Sequence, residues 1–402
     1  MIYKMEKAYK KNALMFSIKN TIMLLFMVGT VMGLHIWIVC KALSVLGDVT
    51  TVIVVNHGRR SLNWPDDSIY LLNWDKHLDT KRYHFRCCAS PNCKLTKDRN
   101  YFGEDYKYFD AMLFSEKYLE STNRPNRSMN MLNIFISMQP DIKNVVCDDY
   151  YDDFFNLTFT YRLDSDLVWK YFIVRSLSRD IIAPSLSPAW NRSLSPVPQD
   201  IKSIIKGKTK SVAYIDSCGL ANFTQPYISD LQKNLEPYSI KIYRYNCSNT
   251  CGKVACNRIF KNEYMFYIIF EDIFAEDYVT MKILHAYAEY VVPIIYGGAN
   301  YTRFLPPHSY IDGRATSPSD IAKVINESLS NYTKYEEYFK WRNLYTIEAY
   351  QPFCDICEAL KNKVNKTGKK DFRQWWNGKR MQQCSVTSKN VTYKITEDNQ
   401  IH

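Results

Sequence analysis

The sequence has no internal repeat and no low-complexity tract, which sets aside repeat architectures and compositionally disordered chains. Histidine is scarce, seven residues against twelve cysteines, so the cysteine groups have few imidazoles with which to share a zinc ion. Charge is missing altogether from Thr21 to Cys40, TIMLLFMVGTVMGLHIWIVC, where His35 is the only ionisable group. That run is about as long as one bilayer span. Acidic residues are almost absent before it: Lys4, Lys7, Lys10, Lys11 and Lys19 stand against Glu6 alone. The positive-inside rule then predicts a cytoplasmic tail at 1–20, a signal-anchor at 21–40 and a stem at 41–60, with everything after Lys41 across the membrane. A cleaved signal peptide is the rival reading, disfavoured by the length of the apolar run and of the tail.

What is present fits a packed protein. A chain of 402 residues has room for two domains with real cores, and 31 Tyr, 20 Phe and 8 Trp argue for dense packing. A net charge of +11 admits nucleic acid, a membrane surface or a phosphate-bearing ligand as partner. The predicted orientation removes nucleic acid, which a lumenal chain does not meet. Eleven of the twelve cysteines follow the anchor, in groups at Cys87, Cys88 and Cys93, at Cys247, Cys251 and Cys256, and at Cys354 and Cys357, with Cys384 near the end. In an oxidising compartment these are disulfide candidates. Asn-x-Ser/Thr sequons begin at Asn126, Asn156, Asn191, Asn222, Asn246, Asn300, Asn326, Asn331, Asn365 and Asn390, more than chance supplies, and predict a glycosylated surface.

From about residue 61 to 182 short apolar runs such as Ile69–Leu72 and Met131–Ser137 alternate with polar turns. The segment APSLSPAWNRSLSPVPQD, rich in Pro and Ser, reads as a linker over 183–204. Beyond it strands are expected at Ser211–Ile215, Ile240–Tyr243, Phe266–Phe270 and Val291–Tyr296, and helices at Tyr227–Leu235, Tyr278–Ala288 and Asp320–Leu329. Strand and helix alternating at this spacing means parallel βαβ units. The predicted architecture is two Rossmann-like α/β domains facing a cleft, over 61–182 and 205–360, with a basic tail at 361–402 that packs back or stays partly disordered.

Three constellations carry candidate chemistry. YIIFEDIFAEDYVTMK, Tyr267 to Lys282, is a buried strand that turns acidic at Glu271, Asp272, Glu276 and Asp277 and then offers Lys282. A strand end followed by a helix start suits an anion, with the lysine adding a point charge for phosphate and the carboxylates reaching sugar hydroxyls. Asp277 as a helix cap is the plainer alternative. FNLTFTYRLDSDL, Phe155 to Leu167, holds Asp164-Ser165-Asp166, either a metal-diphosphate DxD motif or, the preferred reading, a polar turn. Cys354-Asp355-Ile356-Cys357 is either a redox motif or, preferred, part of a structural disulfide.

Together these stretches resemble the Golgi α1,3/α1,4-fucosyltransferases. FNLTFTYRLDSDL is similar to that family's FNWTMTYRRDSDI, and the Tyr267–Lys282 stretch to its YKFYLAFENSxxxDYVTEK donor motif. VVPIIYGGANYTRFLPPHSYID, YEEYFKWR, FCDICEAL, CKLTKDRNYFGEDYKYFDAMLF and the late Trp375, Trp376 and Cys384 fall in the family's order, from about Ile69 to Cys384. The resemblance implies a GT-B-like type II Golgi membrane enzyme whose first domain takes a GlcNAc-containing acceptor glycan and whose second binds GDP-fucose. It implies an inverting transfer that needs a general base and neutralisation of the leaving diphosphate, with no metal cofactor required. Lys282, Tyr278, Glu271, Asp272 and Asp277 are the expected donor contacts.

The chain departs from the pattern where chemistry is expected. The family's Asn and Ser of FENS are Asp272 and Ile273, its Glu before the lysine is Met281, and its SNCxAxxxR segment is DSCGLANFT without the Arg. Its LESP carboxylate, the expected base, is replaced at Met138-Gln139. Asp141 is the candidate substitute base, and Lys208, Lys210 and Arg244 are candidate substitute cations. Two functions follow: an α1,3-fucosyltransferase with remodelled contacts, or a weak or inactive paralogue that binds glycans or a lumenal partner.

Overall fold

The computed structural model describes residues 68–76, 78, 88, 93–103, 106–120, 125, 131–140, 145–191, 196–216, 221–246, 263–362 and 371–384. The expected tail, membrane span and stem lie outside them. Among the described residues no helix is long and apolar enough to cross a membrane.

The apolar runs of the first half form β1 (Ile69–Asn73), β2 (Cys93–Thr96), β3 (Ala111–Ser115), β4 (Leu132–Ser137), β5 (Leu157–Thr160) and β6 (Leu167–Val168). They pair in parallel in the order β2-β1-β3-β4-β5-β6. β3 is buried at every position, as a parallel strand covered on both faces must be. A hairpin of β7 (Phe172–Ser176) and β8 (Ile181–Ala183) follows, then α1 (Gln199–Lys206), which buries Ile201 and Ile205.

The second sheet contains β9 (Lys210–Asp216), β10 (Ile242–Asn246), β11 (Tyr264–Phe270), β12 (Val292–Tyr296) and β13 (Ile311–Asp312), parallel in the order β10-β9-β11-β12-β13. Its helices are α2 (Ala221–Leu235), α3 (Lys282–Ala288), α4 (Pro318–Ser330) and α5 (Tyr332–Glu336). Val212, Phe266, Ile268 and Ile294 meet Leu231, Ile321 and Ile325 in its core. α4 starts two residues before the expected Asp320. Ser317 accepts the Asp320 N–H at 3.2 Å and Pro318 takes the first turn, where its missing N–H costs nothing. α2 starts six residues before the expected Tyr227 and carries Pro226 inside it. The proline reads as a breaker, but near an amino end it forfeits a single i→i−4 bond.

β14 (Tyr345–Ala349) pairs antiparallel with β7, so the end of the first half and the end of the second share a small sheet. The chain then returns to the first sheet. Along β4, Phe135 faces Phe114, Phe155, Phe372 and Trp376, while Ile134 and Ile136 face Leu71, Leu113, Phe353 and Ile356. Strand alternation therefore places α6 (Phe353–Lys361) on one face and α7 (Phe372–Asn377) on the other.

Disulfides pin both returns: Cys88–Cys354, Cys93–Cys357 and Cys147–Cys384. The two cysteines of CDIC stand three apart on α6 and so share a face, each taking its own partner near β2. The redox reading of that motif gives way to a structural one. Cys88, from the group with Cys87 and Cys93, and Cys147, which stands in no group along the sequence, complete the pairs. Cys87, Cys247, Cys251 and Cys256 lie outside the described residues. Replacing Cys384 with Ser opens a loop that spans 237 positions and should destabilise the fold by about 2–5 kcal/mol. A shift of the chemical-denaturation midpoint under non-reducing conditions measures it, and an unmoved midpoint would refute the pairing.

Of the sequons, Asn191, Asn300 and Asn331 are exposed, whereas Asn156 and Asn326 are half-buried. Asn156 departs most from a glycosylation site, since its Oδ1 accepts the Asn133 N–H at 2.8 Å. Asn126, Asn365 and Asn390, and the side chains of Asn222 and Asn246, lie outside the described residues.

Candidate active site

In the second sheet the strand order reverses between β9 and β11, and in the first between β1 and β3. Ligand crevices of open α/β sheets lie beyond the carboxyl ends of strands at such reversals. The two carboxyl edges meet. Leu163, just after β5, donates its N–H to Asp277 Oδ2 at 3.1 Å, and Tyr161 packs edge-on against Tyr278 with ring centroids 5.8 Å apart.

The loop after β11 builds the second sheet's side of this crevice. Glu271 is buried, and its oxygens accept the Thr280 N–H at 2.9 Å and the Thr280 hydroxyl at 2.8 Å. Burial pushes its carboxyl above the ordinary 4.5, against these hydrogen bonds and the charge of Lys282. The loop lies directly on the Gly297-Gly298 pair that closes β12. A Cβ on Gly297 would stand 2.3 Å from the Tyr301 hydroxyl and 3.0 Å from Glu271 Cγ, and one on Gly298 2.5 Å from the Ala275 nitrogen. Glycine is required here by close approach.

A carboxyl raised by folding favours the protonated state, so its stabilising share is complete below the unfolded value and is lost as pH rises through the folded one. Glu271→Gln accepts the Thr280 N–H on its amide oxygen and donates from its amide nitrogen to the Thr280 hydroxyl, without a charge to bury. Between pH 5 and pH 8 the melting temperature of the native chain should fall more than that of Glu271→Gln, as read by calorimetry. Parallel curves would refute the assignment.

The structure divides the expected donor contacts into two groups. Glu271, Asp277 and Tyr278 are buried and belong to the scaffold. Asp277, in the left-handed region at φ 64°, accepts from Leu163 on one oxygen and from Arg303 Nη1 at 3.2 Å on the other. It does not cap a helix, because α3 begins only at Lys282. Burial raises its carboxyl, opposed by those two partners. Tyr278 packs into the aromatic cluster of the first sheet. The helix expected from Tyr278 is thus shortened by the tie of Thr280 to Glu271, and α3, with seven residues, offers little dipole for an anion.

Lys282 and Asp272 are the two that reach solvent. Lys282 Nζ donates to the Phe270 carbonyl at 2.8 Å and to Asp272 Oδ1 at 2.6 Å, with side chains 30% and 49% exposed respectively. On the other side of the crevice the structure separates Met138 from Gln139 at the end of β4. Met138 packs against the apolar cluster of Leu71 and Ile136, whereas Gln139 is exposed. Gln139 therefore takes the open position. Asp141 lies outside the described residues.

The expected substitute cations stand elsewhere. Lys208 and Lys210 flank the amino end of β9, a seven-residue strand away from the crevice, or about 20 Å. Lys208 donates to the Glu289 carbonyl at 3.1 Å and Lys210 pairs with Glu263. Arg244 lies mid-strand in β10 over the Tyr214 ring.

Asp164-Ser165-Asp166 is a turn, as preferred. Asp166 accepts the Thr158 N–H and hydroxyl, both at 2.9 Å, and Asp164 takes a fork from Arg162 at 2.9 and 2.7 Å and the Trp375 indole N–H at 3.0 Å. Among the described residues no group of three or more His, Cys, Asp or Glu is arranged to hold a metal ion. The cluster of Arg162, Asp164 and Trp375 escapes sequence reasoning, since Trp375 arrives from 211 positions away. The tryptophan pair Trp375-Trp376 after a basic linker was its one trace.

Two parallel sheets whose carboxyl edges meet, with Lys282 at that edge among the described residues, define a two-sheet α/β protein of the kind that takes ligands at reversals of strand order. Residues 205–375 match the C-terminal model of glycosyltransferase family 10 (fucosyltransferase), and residues 66–172 match the fucosyltransferase N-terminal model. The chain is 31% identical over 338 residues to alpha-(1,3)-fucosyltransferase C of Drosophila melanogaster, covering 79% of this chain and 77% of that protein. It is 27% identical over 314 residues to glycoprotein 3-alpha-L-fucosyltransferase A of the same fly, covering 72% and 56%. To the human 3-galactosyl-N-acetylglucosaminide 4-alpha-L-fucosyltransferase it is 26% identical over 302 residues, covering 72% and 76%. A crystal structure of an alpha1,3-fucosyltransferase with GDP aligns with a TM-score of 0.48 at 14% identity, covering 78% of this chain and 96% of that one. The chain belongs to glycosyltransferase family 10, the fucosyltransferases.

Proposed function

We propose that this fucosyltransferase moves fucose from GDP-fucose to a GlcNAc hydroxyl in the glycan of a glycoprotein or glycolipid, forming an α1,3 linkage with inversion. The names of the two fly relatives support the α1,3 linkage, and the name of the human relative, a 4-alpha enzyme, supports the N-acetylglucosaminide acceptor. One observation carries the reading: in a chain of this family, Lys282 stands at the carboxyl end of β11, beside the reversal in strand order. There it would meet the donor diphosphate. The acceptor oxygen attacks the anomeric carbon as the bond from that carbon to phosphate oxygen breaks, GDP leaves with the electron pair, and the hydroxyl proton passes to a carboxylate. Gln139 cannot take that proton, and Asp141, two residues on, is the candidate that can. Its setting is a Golgi membrane in type II orientation, anchored through residues 21–40 with the catalytic part in the lumen.

The exposed amide of Gln139 favours a second reading, a glycan-binding or partner-binding protein with little turnover. An assay with GDP-fucose and a panel of GlcNAc-containing acceptors, with the linkage read by NMR, separates the two. Fucosylated product lost in Lys282→Ala supports the first. A folded, glycosylated preparation that binds acceptor and forms no product supports the second.

A further inference from the structure

Lys282 meets its first anion inside its own chain. Its ammonium has three donors, and two are engaged by the Phe270 carbonyl and the Asp272 carboxylate. The Phe270 carbonyl ends β11 and so fixes the charge at the carboxyl edge of the sheet. Asp272 is the more exposed of the ion pair, so its carboxylate can give way to an incoming anion and remain in solvent.

We propose that Asp272 is a built-in counter-ion that takes, in the free protein, the place of a donor phosphate oxygen on Lys282 and thereby sets donor affinity. This rests on the reading that Lys282 meets the diphosphate. A phosphate reaching the ammonium either displaces the carboxylate or binds the third donor beside it. In both cases the carboxylate opposes binding through the ammonium, by giving up its own contact or by cancelling the positive charge that the phosphate meets. The pair is partly exposed, so solvent screens it and the effect is modest. Removing the charge while keeping the shape, as in Asp272→Asn, should tighten GDP binding about threefold to tenfold. The gain has to pass through Lys282, so it should vanish on a Lys282→Ala background.

The test is calorimetric titration of GDP into the full chain in detergent, for the native protein, Asp272→Asn, Lys282→Ala and the double variant. A second readout is the acylation rate of the Lys282 amine without nucleotide, followed by peptide mass spectrometry, which should rise in Asp272→Asn as the carboxylate shield is lost. Tighter GDP binding that requires Lys282, with faster labelling, is the expected result. Weaker or unchanged GDP binding in Asp272→Asn overturns the proposal and makes Asp272 a residue that merely holds Lys282 in place. Unchanged labelling overturns the ion pair itself. No GDP binding by any variant overturns the donor reading together with the proposal, even if labelling accelerates.

Discussion

On the reading of a protein with little turnover, where no carboxylate replaces the missing base, Gln139→Glu should raise the turnover number of fucosyl transfer by about 10²-fold or more, the lower range of what a positioned general base contributes. An amide oxygen cannot hold the acceptor proton at neutral pH, and a carboxylate can. The position is favourable because Gln139 is exposed at the carboxyl end of β4 while Met138 beside it is half-buried against the core. Two controls sharpen the result. Met138→Glu would bury a charge among Leu71 and Ile136 and should destabilise the fold without gaining rate. The Gln139→Glu enzyme should acquire an acidic limb in its pH–rate profile near the ordinary carboxylate range, about 4.3. An unchanged turnover number in a folded Gln139→Glu protein would mean that another carboxylate already serves, and Asp141→Asn would then have to abolish activity.

Lys282→Ala should lower kcat/KM by about 10²–10³-fold, the loss seen when one preorganised donor to a developing negative charge is removed. Among the described residues Lys282 is the cation at the end of β11. Its removal also leaves Asp272 without its 2.6 Å partner. Combining Lys282→Ala with Asp272→Asn should recover none of the loss, because Asp272 acts on the donor through the ammonium. The half-exposed pair contributes little to folding, so the melting temperature should stay nearly constant while kcat/KM falls. A retained kcat/KM in Lys282→Ala would move the donor site away from β11. Lys282→Arg should recover part of the loss, since the charge survives while the reach and hydrogen-bond geometry change.

Much of the fold is legible without coordinates because parallel strands, covered on both faces, write themselves as continuous apolar runs. AMLFS and YMFYIIF are such runs, buried at nearly every position. Helix starts are encoded locally where a cap determines them, as at Ser317-Pro318, two residues before the expected Asp320. The start of α3 is not, because the tie that delays it joins Thr280 to a buried Glu271 nine residues earlier. The site is legible only as a set of residue types. Five polar positions within twelve residues look alike on paper, yet three of them turn inward, two of these to join the two sheets, and two reach solvent.

By itself the sequence determined the family and the parallel α/β class, since each is a matter of residue identity and spacing along the chain. Tertiary structure alone decided that α6 and α7 return to cover the first sheet, that CDIC makes two separate disulfides near β2, that Gln139 and not Met138 faces outward, and that Asp272 sits on Lys282. These depend on which face a side chain takes and which distant segment meets it. No local pattern encodes that, because burial and charge pairing are settled only when the whole chain has closed on itself.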